Sequence, residues 1–161
     1  MPDVPTETTP EYLAAAGLLS FTKQSANEAL IRFLNGLTTN HLAAYPQAEV
    51  HSWPYQKAEA AAIIAAGPSA TLAMAPFLAG VCAHHFGAAT NAARLSQVKA
   101  KAVVVNSNAE NWTAICQFVN GLRAKTQDAI EAATEPTEVN AALNSAYAAA
   151  AAFMATAASG G

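Results

Sequence analysis

The 161-residue sequence has few charged residues and no cluster of positive charge. Charged residues make up 12% of it, the net charge is −3, and no run of lysines or arginines occurs. Since proteins bind nucleic acids by neutralising phosphates with basic side chains, this composition argues against nucleic acid as a partner.

The sequence also lacks the motifs of common cofactor and metal sites. Its two cysteines, Cys82 and Cys116, are far apart and form no CxxC pair, so we predict two buried apolar thiols. No glycine-rich phosphate-binding loop occurs. The adjacent residues His84 and His85 would point about 100° apart on a helix, which argues against a shared metal ion.

No catalytic pattern surrounds the remaining histidines. His41 and His51 have no nucleophile or acid in a matching arrangement, and we predict both as surface residues. The carboxylates follow the spacing of solvated helix faces. We therefore predict a non-enzymatic protein with no catalytic residue, no cofactor and no metal.

The sequence predicts neither a signal peptide nor, as the favoured interpretation, a membrane segment. Residues 1–9 have no basic region followed by an apolar one, so we expect the protein to stay in the cytoplasm after synthesis. The stretch Ala60–Ala93 is uncharged and exceeds a bilayer span in length. Because Gly67, Pro68 and Pro76 interrupt it, a buried helical hairpin is the favoured interpretation and a membrane segment the alternative.

Alanine dominates what is present, with 42 residues against 12 aromatic ones. Alanine has the highest helix propensity, and the only run of three β-branched residues is Val103 to Val105, so we predict an all-α protein. Each buried methyl group contributes little to stability. Helices built from alanine must therefore pack closely or share surface with a partner, and we expect a homo-oligomer or a hetero-complex.

Local signals divide the sequence into several helices. Thr22 is predicted to cap a helix that reaches about Ala44, and a break between Tyr45 and Tyr55 is predicted from two prolines, with Ser52 as the next cap. The following helices are predicted to end at Ala66 and to span Pro76 to Phe86, the second being stopped by Gly87.

The longest predicted helix runs from Thr90 to Ala133 and carries a heptad-like stripe that falters at Arg123 and Thr126. Its members are Leu95, Val98, Ala102, Val105, Ala109, Trp112, Cys116 and Val119. A helix of about 66 Å needs a partner along its length. Two alternatives stay open: packing inside the chain and an intermolecular coiled coil.

Together these signals predict an elongated helical bundle with a long antiparallel helical hairpin and a possible coiled-coil seam. We expect a disordered or partner-bound tail at residues 1–9, a helical domain at 10–133 and an alanine-rich C-terminal helix at 134–161. The predicted partner-binding residues are those whose large side chains stand out near the break or on the alanine tail: Trp53, Tyr55, Gln56, Tyr147, Phe153 and Met154. Trp112 is predicted as a core residue.

Four segments of the sequence share a pattern with one known group of proteins. The first has Glu49, Ser52, Trp53, Gln56 and Glu59-Ala60; the second has Pro76, Leu78 and Gly87; the third is LSQVKAKA (95–102) and the fourth GLRAKTQDAIEAATEPTEV (121–139). In this pattern the chain resembles small alanine-rich proteins associated with the tail fibres of tailed bacteriophages. About 90 residues take part.

The resemblance implies a structural protein of the phage tail that attaches to or connects tail fibres, made in the host cytoplasm and located in the virion tail. Its expected partners are phage tail or tail-fibre proteins, with no nucleic acid and no membrane. A tail-fibre assembly chaperone that leaves before the virion is complete is the alternative. A membrane-active phage protein is a further alternative, resting only on the uncharged stretch.

Overall fold

The computed structural model describes the backbone of residues 10–159 and the side chains of residues 15–156. Within this range the chain is all-α, as predicted, and contains no strand. Its helices are α1 (Pro10–Leu42), α2 (Gln47–Ala66), α3 (Pro76–Phe86), α4 (Asn91–Ala132) and α5 (Pro136–Ser159). Two short 3₁₀ turns, Gly67–Ser69 and Leu72–Met74, connect α2 to α3. The predicted tail at residues 1–9 lies outside the described residues.

Several helix ends match the sequence signals. Helix α3 has the predicted bounds, and α2 and α3 stop at Gly67 and Gly87, whose φ angles of 53° and 72° favour glycine. The Thr90 hydroxyl accepts a hydrogen bond from the amide of Ala93 at 3.3 Å, which confirms Thr90 as the cap of α4.

Three local predictions were wrong. Thr22 caps no helix, because α1 runs through it and its hydroxyl donates to the Leu18 carbonyl at 2.8 Å. Ser52 likewise lies inside α2 and donates to the Glu49 carbonyl at 2.7 Å. The predicted break occurs only before Gln47, since α2 continues through Pro54.

The first of two compact units contains the described residues up to Asn40 and those from Gln117 onward. Its core has two clusters, the first formed by Leu30, Leu34, Leu122, Ala146 and Ala150 and the second by Ala26, Ile130, Ala133 and Val139. From the first cluster to the second, the α4 residue advances from Leu122 to Ile130, whereas the α5 residue goes back from Ala146 to Val139. The end of α4 and helix α5 therefore form the predicted antiparallel hairpin, with α1 packed against it.

The second unit spans His41 to Cys116. Its core joins α2, α3 and the first half of α4, and its fully buried residues include Ala60, Leu78, Val98 and Ala102. Beside this core, Glu59 of α2 accepts the amides of two residues in the first turn of α3. The distances are 3.0 Å to Phe77 and 2.8 Å to Leu78. Glu59 thereby caps α3, whose preceding residue provides no side-chain cap.

The stripe along α4 faces inward over its whole predicted length, since each of its members is at least half-buried. Contrary to prediction, it does not falter: Leu122 continues it in place of the exposed Arg123. Thr126 is buried too, and its hydroxyl donates to the Leu122 carbonyl at 2.7 Å, so this buried hydroxyl has a hydrogen-bond partner. Packing inside the chain, one of the two alternatives, covers Val98, Ala102 and Val105.

Candidate functional site

A pocket of about 460 Å³ opens in the second unit between the end of α1, the first half of α2 and the middle of α4. Its volume lies in the range of small-ligand sites, about 300–1,000 Å³. The residues that line it are His41, Leu42, Tyr45, Glu49, Val50, Trp53, Pro54, Gln56, Lys57, Lys101, Val105, Asn108, Ala109, Asn111, Trp112 and Thr113.

Four aromatic side chains form one side of this pocket. The Trp53 and Trp112 rings meet edge to face with their centroids 5.7 Å apart, and Tyr45 meets Trp53 in the same manner at 5.2 Å. His41 stacks on Trp112 at 5.4 Å with an interplanar angle of 13°. All four side chains are half-buried, so part of each ring surface is open to solvent.

Much of the pocket lining comes from one face of α2 and one face of α4. On α2, the residues Glu49, Val50, Gln56 and Lys57 each lie three or four positions from Trp53 and therefore share a face with it. On α4, Lys101, Val105, Asn108 and Trp112 follow one another at spacings of four, three and four and likewise share a face. Because α2 passes through Pro54 without stopping, Trp53 stays in register with the residues on either side of it.

The polar side chains of the pocket have little internal bonding. Gln56 is 8% exposed and donates to the Ser52 hydroxyl at 2.7 Å. No hydrogen bond or ion pair joins the side chains of Lys57, Lys101, Asn108 and Asn111 to any residue that the structure describes. Two ammonium groups and two amides are thus free to meet a ligand.

The structure separates the predicted partner-binding residues into two places. Trp53 and Gln56 belong to the pocket, whereas Tyr55 is 67% exposed and does not line it. The other three lie in the first unit.

Two of those three pack against their own unit. Tyr147 meets the Phe33 ring edge to face at 4.5 Å, and Phe153 stacks on Phe118 at 4.0 Å. Met154 is 45% exposed. Partner binding at these positions remains a prediction, for which Tyr55 and Met154 offer the most accessible side chains.

Other residues of the pocket were not predicted as site residues from the sequence. His41 was predicted as a surface residue, whereas its ring is half-buried and stacks on Trp112. Trp112 was predicted as core and is instead half-buried beside the pocket. The 4-3-4 spacing of Lys101, Val105, Asn108 and Trp112 was the available signal.

A buried arginine stands at the end of α3. Arg94 is 9% exposed and donates to the Gly87 carbonyl and, at 2.8 Å, to the Gln97 side-chain oxygen. A cation at this position is favourable beside the negative end of the α3 dipole. Arg94 is therefore a structural residue of the second unit and does not line the pocket.

Two further searches cover the residues that the structure describes. No group of three or more histidine, cysteine, aspartate or glutamate side chains is placed to hold a metal ion. None of the described helices has both the length and the apolar character needed to cross a membrane.

Comparison with known proteins identifies no relative. No protein-family model, no curated protein and no solved structure matches the chain.

Proposed function

We propose that the chain is a non-enzymatic structural component of a bacteriophage tail that attaches to or connects tail fibres. The proposal starts from the sequence resemblance described above. Its support from the structure is that separate segments of the shared pattern make specific contacts with one another.

Glu59 and the Pro76 segment provide the observation that carries this proposal. Glu59 belongs to the first segment of the pattern and Leu78 to the second, and the Glu59 carboxylate accepts the Leu78 amide at 2.8 Å across 19 positions. The third segment contributes Val98 and Ala102 to the core that contains Leu78. These contacts support the view that the shared pattern describes a fold and not only an alanine-rich composition.

Exposed apolar side chains support a role in contact with other proteins. In the second unit they include Ile64, Met74, Phe86, Val103 and Val104, each more than 40% exposed. Each of these side chains offers apolar surface that a neighbouring protein in an assembly would remove from water. A tail component has such neighbours throughout its lifetime.

Mass spectrometry of purified virions tests the proposal, using a phage whose genome encodes this chain. We expect several copies of the chain in each mature particle. Its presence in the infected cell but absence from mature particles would reject the proposal in favour of an assembly chaperone. Co-expression of the tail-fibre gene of that phage with and without this chain then measures whether fibre folding depends on it.

A variant at an exposed, predicted contact residue refines the test. Tyr55→Ser should leave the melting temperature within about 2 °C of the parent, because exposed substitutions change stability little. If Tyr55 contacts a partner in the tail, the variant should reduce the number of copies in each particle. The matched control is Ser107→Ala, which alters an exposed polar side chain of the same unit that is not among the proposed contact residues. Equal incorporation of Tyr55→Ser and the parent would remove Tyr55 from the interface.

A further inference from the structure

We propose that the pocket of the second unit binds an acidic peptide segment of a partner protein. An aromatic side chain of the peptide fills the pocket, and a neighbouring carboxylate lies beside Lys57 and Lys101. This inference rests on the pocket alone and is independent of the proposed role in a phage tail.

The shape and lining of the pocket favour an aromatic side chain. Its volume of about 460 Å³ accommodates one or two ring-sized groups with their flanking main chain. Tyr45, Trp53 and Trp112 leave part of their ring surface open, and Val50 and Val105 add aliphatic surface beside them. A phenyl or indole group entering here extends the edge-to-face packing that the rings already make, a preferred arrangement for aromatic pairs.

The charges around the pocket favour an anion. The chain carries a net charge of −3, yet two lysines and one glutamate, Glu49, line this pocket, which gives a local balance of +1 with histidine neutral. Neither lysine has a carboxylate within 4.0 Å among the described residues. Lys57 lies on α2 and Lys101 on α4, so two different helices direct positive charge to one site.

The free amides favour a peptide over a small saccharide. Asn108 and Asn111 each offer donors and an acceptor, the combination that a peptide bond requires. A saccharide needs hydrogen bonds to most of its hydroxyl groups, whereas aromatic and aliphatic side chains supply about half of this lining. The main-chain groups of a peptide outside the pocket stay in water and need no partner here.

Tryptophan emission reports directly on this site, because Trp53 and Trp112 are the only two tryptophans of the chain and both line the pocket. The full-length protein is titrated with a capped Asp-Phe-Glu tripeptide, its neutral analogue Asn-Phe-Gln and its ring-less analogue Asp-Ala-Glu. Free 3-phenylpropionate and glucuronate are titrated in parallel. We expect a saturable change of emission with Asp-Phe-Glu, about fivefold weaker affinity for Asn-Phe-Gln, and no saturation with Asp-Ala-Glu.

A double-mutant cycle assigns the charge effect to the two lysines. In the variant Lys57→Gln/Lys101→Gln, the fivefold preference for the acidic peptide over its neutral analogue should disappear. Lys125→Gln changes an exposed lysine of the first unit and should retain the preference. Circular dichroism verifies that each variant is folded, and the three peptides compared on the parent protein test the proposal even if the double variant is not.

Several results would overturn this inference. Equal affinity for the acidic and neutral peptides refutes the role of charge, and equal affinity for Asp-Ala-Glu refutes the aromatic anchor. If 3-phenylpropionate binds as tightly as the tripeptide, the site belongs to a free aromatic acid, and if glucuronate binds more tightly, it belongs to a saccharide. An unchanged emission with every probe means that the pocket takes none of these ligands.

Discussion

Replacing Glu59 by alanine should destabilise the second unit, because this side chain supplies the N-terminal cap of α3 from a different helix. Its two carboxylate oxygens accept the amides of Phe77 and Leu78 at 3.0 and 2.8 Å. Pro76 has no amide hydrogen, and Ala75 provides no side-chain cap. No other side chain among the described residues accepts these two amides.

The expected cost follows from the number and environment of the lost bonds. A capping side chain contributes about 1 kcal/mol, and hydrogen bonds to a charged acceptor contribute about 1.5–3 kcal/mol when they are shielded from water. Glu59 is half-buried and only its bond to Leu78 is partly shielded. We therefore expect a loss of about 2 kcal/mol for Glu59→Ala and about half of that for Glu59→Gln, which retains one acceptor oxygen.

Urea unfolding followed by tryptophan emission measures this loss of stability in the second unit, which contains α3. Both tryptophans lie in the same unit as α3, so their emission follows the part of the chain that the substitution affects. A loss of about 2 kcal/mol should lower the urea midpoint by about 1 M. The control is Glu131→Ala, an exposed carboxylate of the first unit whose side chain bonds to none of the described residues. A midpoint for Glu59→Ala equal to that of the control would refute the capping role.

Three further substitutions test other contacts. Arg94→Ala should cost about 2 kcal/mol by urea titration, because it leaves the Gly87 carbonyl without its donor. Ile130→Ala should cost about 3 kcal/mol by circular dichroism, because Ile130 is fully buried. Hydrogen bonds from the Thr134 amide and hydroxyl lower the pKa of Glu138 below its usual 4.5, so the stability it adds is present above that value and is lost as the pH falls through the folded-state pKa. Glu138→Gln should therefore lose less melting temperature on acidification than the parent.

Matched controls accompany these three variants. Arg32→Ala removes an exposed arginine, Leu18→Ala an exposed leucine and Glu135→Gln a neighbouring exposed carboxylate. The first two should change stability by less than about 0.5 kcal/mol. If Arg94→Ala or Ile130→Ala is no more destabilised than its control, the contact that the variant removes is absent in solution. An acid response of Glu138→Gln equal to that of the parent would show the same for the Glu138 cap.

Some helix ends could be predicted because their cause lies within a few residues. Pro76 starts α3 and Gly87 ends it, and Thr90 caps α4, all through local stereochemistry. The stripe from Leu95 to Val119 was likewise visible as a 3-4 spacing. These signals lie within a few residues of the helix ends, even though α3 also receives its N-terminal cap from Glu59 of a different helix.

One error, the break predicted at Pro54, arose where contacts with other elements outweigh a local preference. Proline inside a helix costs about 3 kcal/mol, which predicted a break, yet α2 continues through Pro54. Its neighbours Val50, Trp53 and Gln56 lie on the face that meets the pocket and the aromatic residues of other elements. Their packing offsets the local cost, and no pattern within α2 reveals that they have partners.

The candidate site was predictable only in part for the same reason. Trp53 and Gln56 were recognised because they stand out near two prolines. His41 and Lys101 lie on other helices, and nothing in the sequence states that the end of α1 and the middle of α4 meet α2. Only the arrangement of the helices joins these residues in one pocket.

The alanines in the core determine how this protein responds to mutation. Eight of the eighteen buried apolar residues that the structure describes are alanine: Ala26, Ala60, Ala70, Ala75, Ala102, Ala133, Ala146 and Ala150. An alanine scan leaves all of them unchanged and so passes over almost half of the core. Damage at these positions comes instead from added methyl groups, which force neighbouring helices apart. A scan that replaces each alanine by valine or leucine would reveal the positions at which this chain is least tolerant of variation.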